Sequence, residues 1–205
     1  MTSSRLEAFT DGVMAVAITI MVLALQLPDD ASFSALLHTT GPMFLTYLLS
    51  FIYIGIYWNN HHHMMKLADH ITGMTLWANL HLLFWLSLIP FSTAWMDDTH
   101  LAPTPIVVYG VNLLGAAIAY FALQSTIIRG QGESSRLRRA IGKDVKGKVS
   151  LVLYLTGIGL GLLTSVSHGT TRWPAVACFV VVALLWLIPD VRMEREIIHA
   201  ESAEG

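Results

Sequence analysis

Arg5-Leu6-Glu7-Ala8-Phe9-Thr10-Asp11-Gly12-Val13 runs without a break into residues 14–27, which carry no charge. An acid therefore sits inside a greasy helix. An ionisable group at membrane depth costs roughly 2.5–3.5 kcal/mol on insertion scales. Asp11 needs a partner, and the rest of the chain must supply it. Of the 205 residues, 54% are apolar and 13% are charged, with a mean hydropathy of +0.59. Soluble domains carry about 25% charged residues, so half that density points to lipid as the solvent. The single cysteine, Cys178, lies in an apolar run. It excludes a disulfide framework and a thiolate metal site. The first 27 residues lack a basic leader and a small-residue cleavage site, and they contain Glu7 and Asp11. They read as a retained first helix, not a signal peptide.

Breakers divide the chain into apolar spans of about the 20 residues a bilayer requires. The spans are 5–27, 42–63, 74–96, 105–128, 147–167 and 173–189. Ser4 with Glu7 reads as a capping box opening the first, and Pro28-Asp29-Asp30 closes it. Gly41-Pro42 opens the second, and Pro90 predicts a kink in the third. Pro103-Thr104-Pro105 starts the fourth, and Trp173-Pro174 starts the sixth. The expected fold is an all-α membrane protein: one six-helix transmembrane domain over 1–205, with a basic loop at 129–148 and a tail at 190–205. With the N-terminus inside, 11 of the 12 Lys and Arg residues fall on the cytoplasmic side, and only Arg172 falls outside. Asp29, Asp30, Asp97 and Asp98 mark the outer loops. This asymmetry predicts a multi-pass protein with both termini cytoplasmic. The basic loop reads first as a topology determinant and second as a site for anionic membrane lipids.

Within the first span, Val16, Ile20, Leu23 and Leu27 follow a 4-3-4 spacing that aligns them on one helix face, with Thr19 beside them. Small residues such as Ala15, Ala17 and Ala24 lie elsewhere on the helix. Periodicity alone favours helix packing over a pore lining. The words Arg5-x-x-x-Phe9-Thr10-Asp11-Gly12-Val13 and Ala15-Val16-Ala17-Ile18-Thr19 resemble the Arg-x-x-x-Phe-Ser-Asp signature of the transmembrane protein 175 family of potassium channels. Tyr57-Trp58-x-x-His61-His62, Leu76-Trp77-x-Asn79-Leu80 and Ile89-Pro90-Phe91-Ser92-Thr93 agree in order. The match is clearest over residues 5–95. It implies a prokaryotic, plasma-membrane homotetramer of six-span subunits that conducts K+ passively. Four first helices would surround the pathway. Val16, Ile20 and Leu23 would form its constriction, and Thr19 a polar ring. Such an aliphatic ring gates by dewetting. Potassium, whose hydration shell is easier to strip than that of sodium, would pass with modest selectivity. Valine at 16 stands where the family usually has a longer aliphatic residue, which implies a wider ring. Thr10 replaces the usual serine and keeps its hydroxyl.

The end of the second span and the start of the third return to the depth of Asp11. They bring Trp58, His61, His62 and Asn79. We expect Asp11 and Thr10 to accept bonds from Trp58, His61 or His62, and Asn79. The resemblance implies that these residues, with Arg5 and Phe9, form the family's structural network and not an ion site. Asp11→Ala is expected to abolish assembly or conduction, measured by native gel and ion flux. Consecutive histidines point about 100° apart on a helix, which argues against a metal site at 61–63. Leu155-Thr156-Gly157-Ile158-Gly159 faintly resembles a potassium-channel filter, but no pore helix precedes it. Gly157, Gly159 and Gly161 read better as close-packing positions. A proton- or cation-coupled transporter using Asp11 and the histidines is the alternative; neither inverted repeats nor broken helices mark the sequence for it. No residue pattern points to an enzyme, a cofactor or a nucleic-acid partner. No span carries the row of Arg or Lys that voltage sensing needs.

Overall fold

The computed structural model describes residues 3–68, 70–132, 135–141, 144–167 and 169–187. Eight α-helices and no strands occur among them. In order they are α1 (Ser3–Val22), α2 (Phe33–Lys66), α3 (Gly73–Ser87), α4 (Ile89–Asp98), α5 (Pro103–Gln131), α6 (Arg136–Ile141), α7 (Val145–Leu163) and α8 (Arg172–Leu187). By length and composition, four stretches can cross a membrane: α2, α3 continued by α4, α5, and α7. The expected tail at 190–205, the close of the sixth span at Pro189, and Lys143 of the basic loop lie outside the described residues.

Helix ends differ from the sequence reading for local reasons. Ser4 lies inside α1, which already includes Ser3, so it is not the cap. The regular helix stops at Val22. Looser turns follow, with Leu23 N–H on the Ile20 carbonyl at 3.1 Å and Leu25 N–H on the Val22 carbonyl at 3.2 Å. The second helix starts at Phe33, not at Pro42. Ser32 caps it by accepting the Ala35 N–H at 3.0 Å, and the helix runs on through Pro42. One proline removes only one donor, which a helix of 34 residues tolerates. The Ser32 amide in turn binds Asp30 at 2.7 Å. Hydrogen bonds to Ser32 hold the Asp30 carboxyl below its ordinary range. Pro90 divides the third span outright. It has no N–H for the Leu86 carbonyl, so α3 ends at Ser87 and α4 begins at Ile89.

α5 is the central post. It packs against α3, α4, α7 and α8, while α1 packs against α2, α3 and α4 on the opposite side. The core joins Met14 and Met21 of α1 to Ile54, Leu82, Leu113 and Phe179 of the other helices. Glycines set the closest approaches. A Cβ on Gly157 would come within 2.6 Å of the Phe179 ring, and one on Gly110 within 2.7 Å. The two helices thus make a slot for an aromatic side chain of α8. Gly161 meets Val107 and Ile106 in the same way, whereas Gly159 has open space. On the other side of α5, a Cβ on Gly115 would run into the Trp85 ring. A fused ring in a packed helix pair has little room to retreat. Gly115→Ala should therefore cost about 1–3 kcal/mol, read as a lower thermal midpoint in detergent.

The two ends of the bundle carry different charges. At one, His62 meets Glu7 and Gln131 Nε2 donates to the Leu67 carbonyl at 2.5 Å. This gathers Arg5, Lys66 and Arg129 at a common level. At the other, Gln26 Nε2 reaches Asp98 at 3.4 Å, Thr46 donates to Asp97, and Arg172 reaches the His100 carbonyl at 3.4 Å.

A candidate pore helix and its polar anchor

α1 has two unlike faces. Leu6, Thr10, Met14, Ala17 and Met21 recur every three or four residues and are buried against the bundle. Ala17 is thus a packing residue. Turned away from it are Val16, 54% exposed, Ile20, 53%, Leu23, 81%, and Leu27, 88%. The aliphatic row read from the sequence lies among the exposed residues of the chain. Phe9, half exposed, lies on the same outer side. With Pro90, Phe91 and Ala94 across from it, this face borders a groove of about 840 Å³. The Thr19 hydroxyl donates to the Val16 carbonyl at 2.9 Å. That bond turns the hydrogen back onto the helix and leaves the oxygen lone pairs as the outward-facing polarity. Leu23 lies one residue past the regular helix.

Polar residues anchor the inner side. Asn79 Nδ2 donates to Thr10 Oγ1 at 2.9 Å, and Asn79 Oδ1 lies 2.9 Å from His61 Nε2. An amide oxygen only accepts, so His61 Nε2 is the protonated nitrogen. Its Nδ1 is buried without a partner among the described residues. Thr10, His61 and Asn79 are all almost wholly inaccessible, so this chain of bonds lies deep between α1, α2 and α3. Two further links run alongside it. Trp58 Nε1 donates to Asp11 Oδ1 at 3.0 Å, and His62 Nδ1 meets Glu7 Oε1 at 2.5 Å. Glu7 and Asp11 are four apart on α1, as are Trp58 and His62 on α2, so an antiparallel pair matches them in two rungs. The Trp58 and His62 rings stack between the rungs, with centroids 6.3 Å apart.

The expected cluster is therefore three connections and not one. Asp11 takes Trp58 but neither histidine, and it is only half-buried within the subunit. Thr10 takes Asn79. His61 reaches α3 instead of α1, and His62 reaches Glu7, for which the sequence suggested no partner. Arg5 is exposed and, with Phe9, stands apart from these bonds. The neighbouring histidines diverge, one toward Asn79 and one toward Glu7. Among the described residues no three His, Cys, Asp or Glu side chains converge as metal ligands.

A wholly helical, strongly apolar bundle that hides its polar residues and displays an aliphatic row is an integral membrane protein. The chain belongs to the family described as Endosomal/lysosomal potassium channel TMEM175, whose profile matches residues 5–90, from the first turn of α1 to the start of α4. A potassium channel of Chryseobacterium sp. strain P1-3 is 47% identical over 197 residues, covering 96% of this chain and 98% of that protein. A potassium channel of Streptomyces collinus is 31% identical over 128 residues, covering 59% and 62% respectively. In three dimensions the chain is similar to the crystal structure of a lysosomal potassium-selective channel TMEM175 homolog from Chamaesiphon minutus. The TM-score is 0.75 at 26% identity, with 92% of this chain and 97% of that one covered.

Proposed function

We propose that the chain is one subunit of a homotetrameric potassium channel in a prokaryotic plasma membrane. Six spans, 5–27, 42–63, 74–96, 105–128, 147–167 and 173–189, make a single domain, and both termini are cytoplasmic. Four copies of α1 enclose a passive pathway for K+. Val16, Ile20 and Leu23 form successive aliphatic rings, and Thr19 adds a ring of hydroxyl oxygens beside them. The observation that carries this reading is the outward row on α1, whose side chains Val16, Ile20 and Leu23 are half to four-fifths exposed, as a face lining a path between copies would be. The potassium channels of Chryseobacterium and Streptomyces supply the permeant ion. The charge segregation between the two ends supports the orientation. Thr10, Asp11, Trp58, His61, His62 and Asn79 serve to hold the pore helix, with Glu7 added to them.

Conduction through such rings needs a nearly dehydrated ion. Dewetting closes the path until the rings widen. Purified protein in liposomes tests the reading, with K+ or Na+ gradients and a protonophore present or absent. Fast potassium efflux that exceeds sodium efflux, and that is sustained once protons carried by the protonophore balance the charge, is the expected result. Potassium driven against its own gradient by an imposed proton gradient, and abolished by the protonophore, would instead assign Asp11 and the histidines to a coupled transporter. Crosslinking that yields nothing larger than a monomer would remove the tetramer.

A further inference from the structure

The two ends of α1 are held differently. At the inner end, the Glu7 and Asp11 rungs and the bond from Asn79 to Thr10 tie the helix to its neighbours. Toward the outer end, burial stops at Met21, and no residue from Val22 to Leu27 is buried. The helix also loosens there. Leu23, Ala24 and Leu25 donate to carbonyls three residues back, at 3.1, 3.3 and 3.2 Å, the tighter and poorer bonding of a 3₁₀ turn. Leu23, the last of the three ring residues, therefore sits on a segment that neither packing nor regular helix bonding fixes.

One residue holds this segment from two sides. The Gln26 carbonyl accepts the Thr40 hydroxyl of α2 at 2.9 Å. Its side-chain Nε2 donates to Asp98 Oδ1, at the end of α4, at 3.4 Å. Backbone and side chain are thus bound to different helices. One residue before Asp98, Asp97 accepts the Thr46 hydroxyl of α2, so α4 is fastened to α2 beside the point where both reach Gln26. α1 packs against these same two helices. Both bonds accordingly draw the segment toward its own subunit and away from any axis shared with other copies.

We infer that Gln26 is a positioning residue for the outer ring: through Thr40 and Asp98 it holds Leu23 back from the centre of the pathway. This role rests on the conduction reading above. In the proposed tetramer, four leucines released from these ties close on one another, because apolar side chains leaving water attract without direction. The ring narrows, and a narrower dewetted constriction passes fewer ions. Neither bond is strong alone at an exposed site. Both act on one residue, so losing the two together costs more than losing either.

Liposome flux tests this with Gln26→Leu, which removes the amide and keeps the bulk, and Thr40→Val, which removes the hydroxyl. Each should lower potassium flux about threefold and the double variant about tenfold, factors that the net worth of one and of two hydrogen bonds allows. The potassium-to-sodium flux ratio should rise in the double variant, since a tighter ring demands more dehydration. A protein that is merely destabilised would lose flux at a constant ratio and a lower thermal midpoint, and that outcome overturns the role. Asp98→Leu should match Gln26→Leu and add nothing to it, as members of one bond do. Asp98→Asn keeps an acceptor oxygen and should behave as the parent. A loss in Asp98→Asn equal to that in Asp98→Leu would make the charge and not the bond responsible, and would overturn the clamp. Amides of residues 23–27 should exchange with deuterium faster in the double variant. A parent that passes no potassium sinks the channel reading and the clamp together, whereas a conducting parent matched by every variant sinks the clamp alone.

Discussion

Asn79→Leu is expected to uncouple the pore helix and abolish potassium flux while lowering stability by roughly 2–4 kcal/mol. Asn79 is wholly buried and bonds to both Thr10 and His61. Leucine is close in size, so the loss is electrostatic and not a cavity. It strands the His61 Nε2–H beside an Nδ1 that already has no partner among the described residues. A buried polar group left unmade costs about 1–3 kcal/mol, and here two partners are affected at once. Thr10→Ala removes only the outer bond and should cost about 1 kcal/mol. The order of severity, Asn79→Leu above Thr10→Ala, is read from thermal midpoints and liposome flux. Asp11→Ala acts elsewhere, since Asp11 holds only the Trp58 indole at a half-buried site. Equal midpoints for Asn79→Leu and the parent would contradict the anchoring role.

Val16→Ile should reduce potassium flux several-fold and raise the preference for potassium over sodium by a similar factor. On the proposed tetrameric arrangement, each added methylene would appear four times around the ring, so a small change at one position would narrow the whole passage. The site is tolerant: Val16 is about half exposed, so folding should be unaffected. A tenfold change corresponds to about 1.4 kcal/mol in the barrier, which is modest for four extra methylenes in a dehydrated path. Flux that rises, or a selectivity ratio that stays constant while folding is intact, would remove Val16 from the constriction.

The outward row on α1 was legible because three- and four-residue spacing depends only on helix geometry. Which way that row faces was not, because a monomer's sequence does not say whether its apolar stripe is covered by itself or by another copy. The sequence placed Trp58, His61, His62 and Asn79 at the depth of Asp11 through hydropathy alone. It could not assign partners, since these depend on helix rotation. Glu7 with His62 was within reach, however, because both acids of α1 are matched four by four on α2. The start of α2 was misplaced for another reason. Gly41-Pro42 was read as the opening of the second span, whereas Ser32 caps the helix further back and proline removes only one bond. Pro90 was read as an interruption inside one span, and α3 and α4 indeed form one 26-residue stretch parted at Leu88.

The twin rungs joining α1 to α2 fix more than position. A helix held at both Glu7 and Asp11 cannot slide past its neighbour by a single turn without breaking both links together, and the Asn79 tie behind them resists rotation. On the proposed arrangement, the front half of each subunit therefore moves as one rigid wedge. Any widening of the passage must come from wedges tilting apart at the seams between copies, where the chain supplies only oily, non-directional contact. Opening would then be governed by how tightly neighbours adhere, and substitutions on the facing surfaces of α1 and α4 should tune it more than any change inside the wedge.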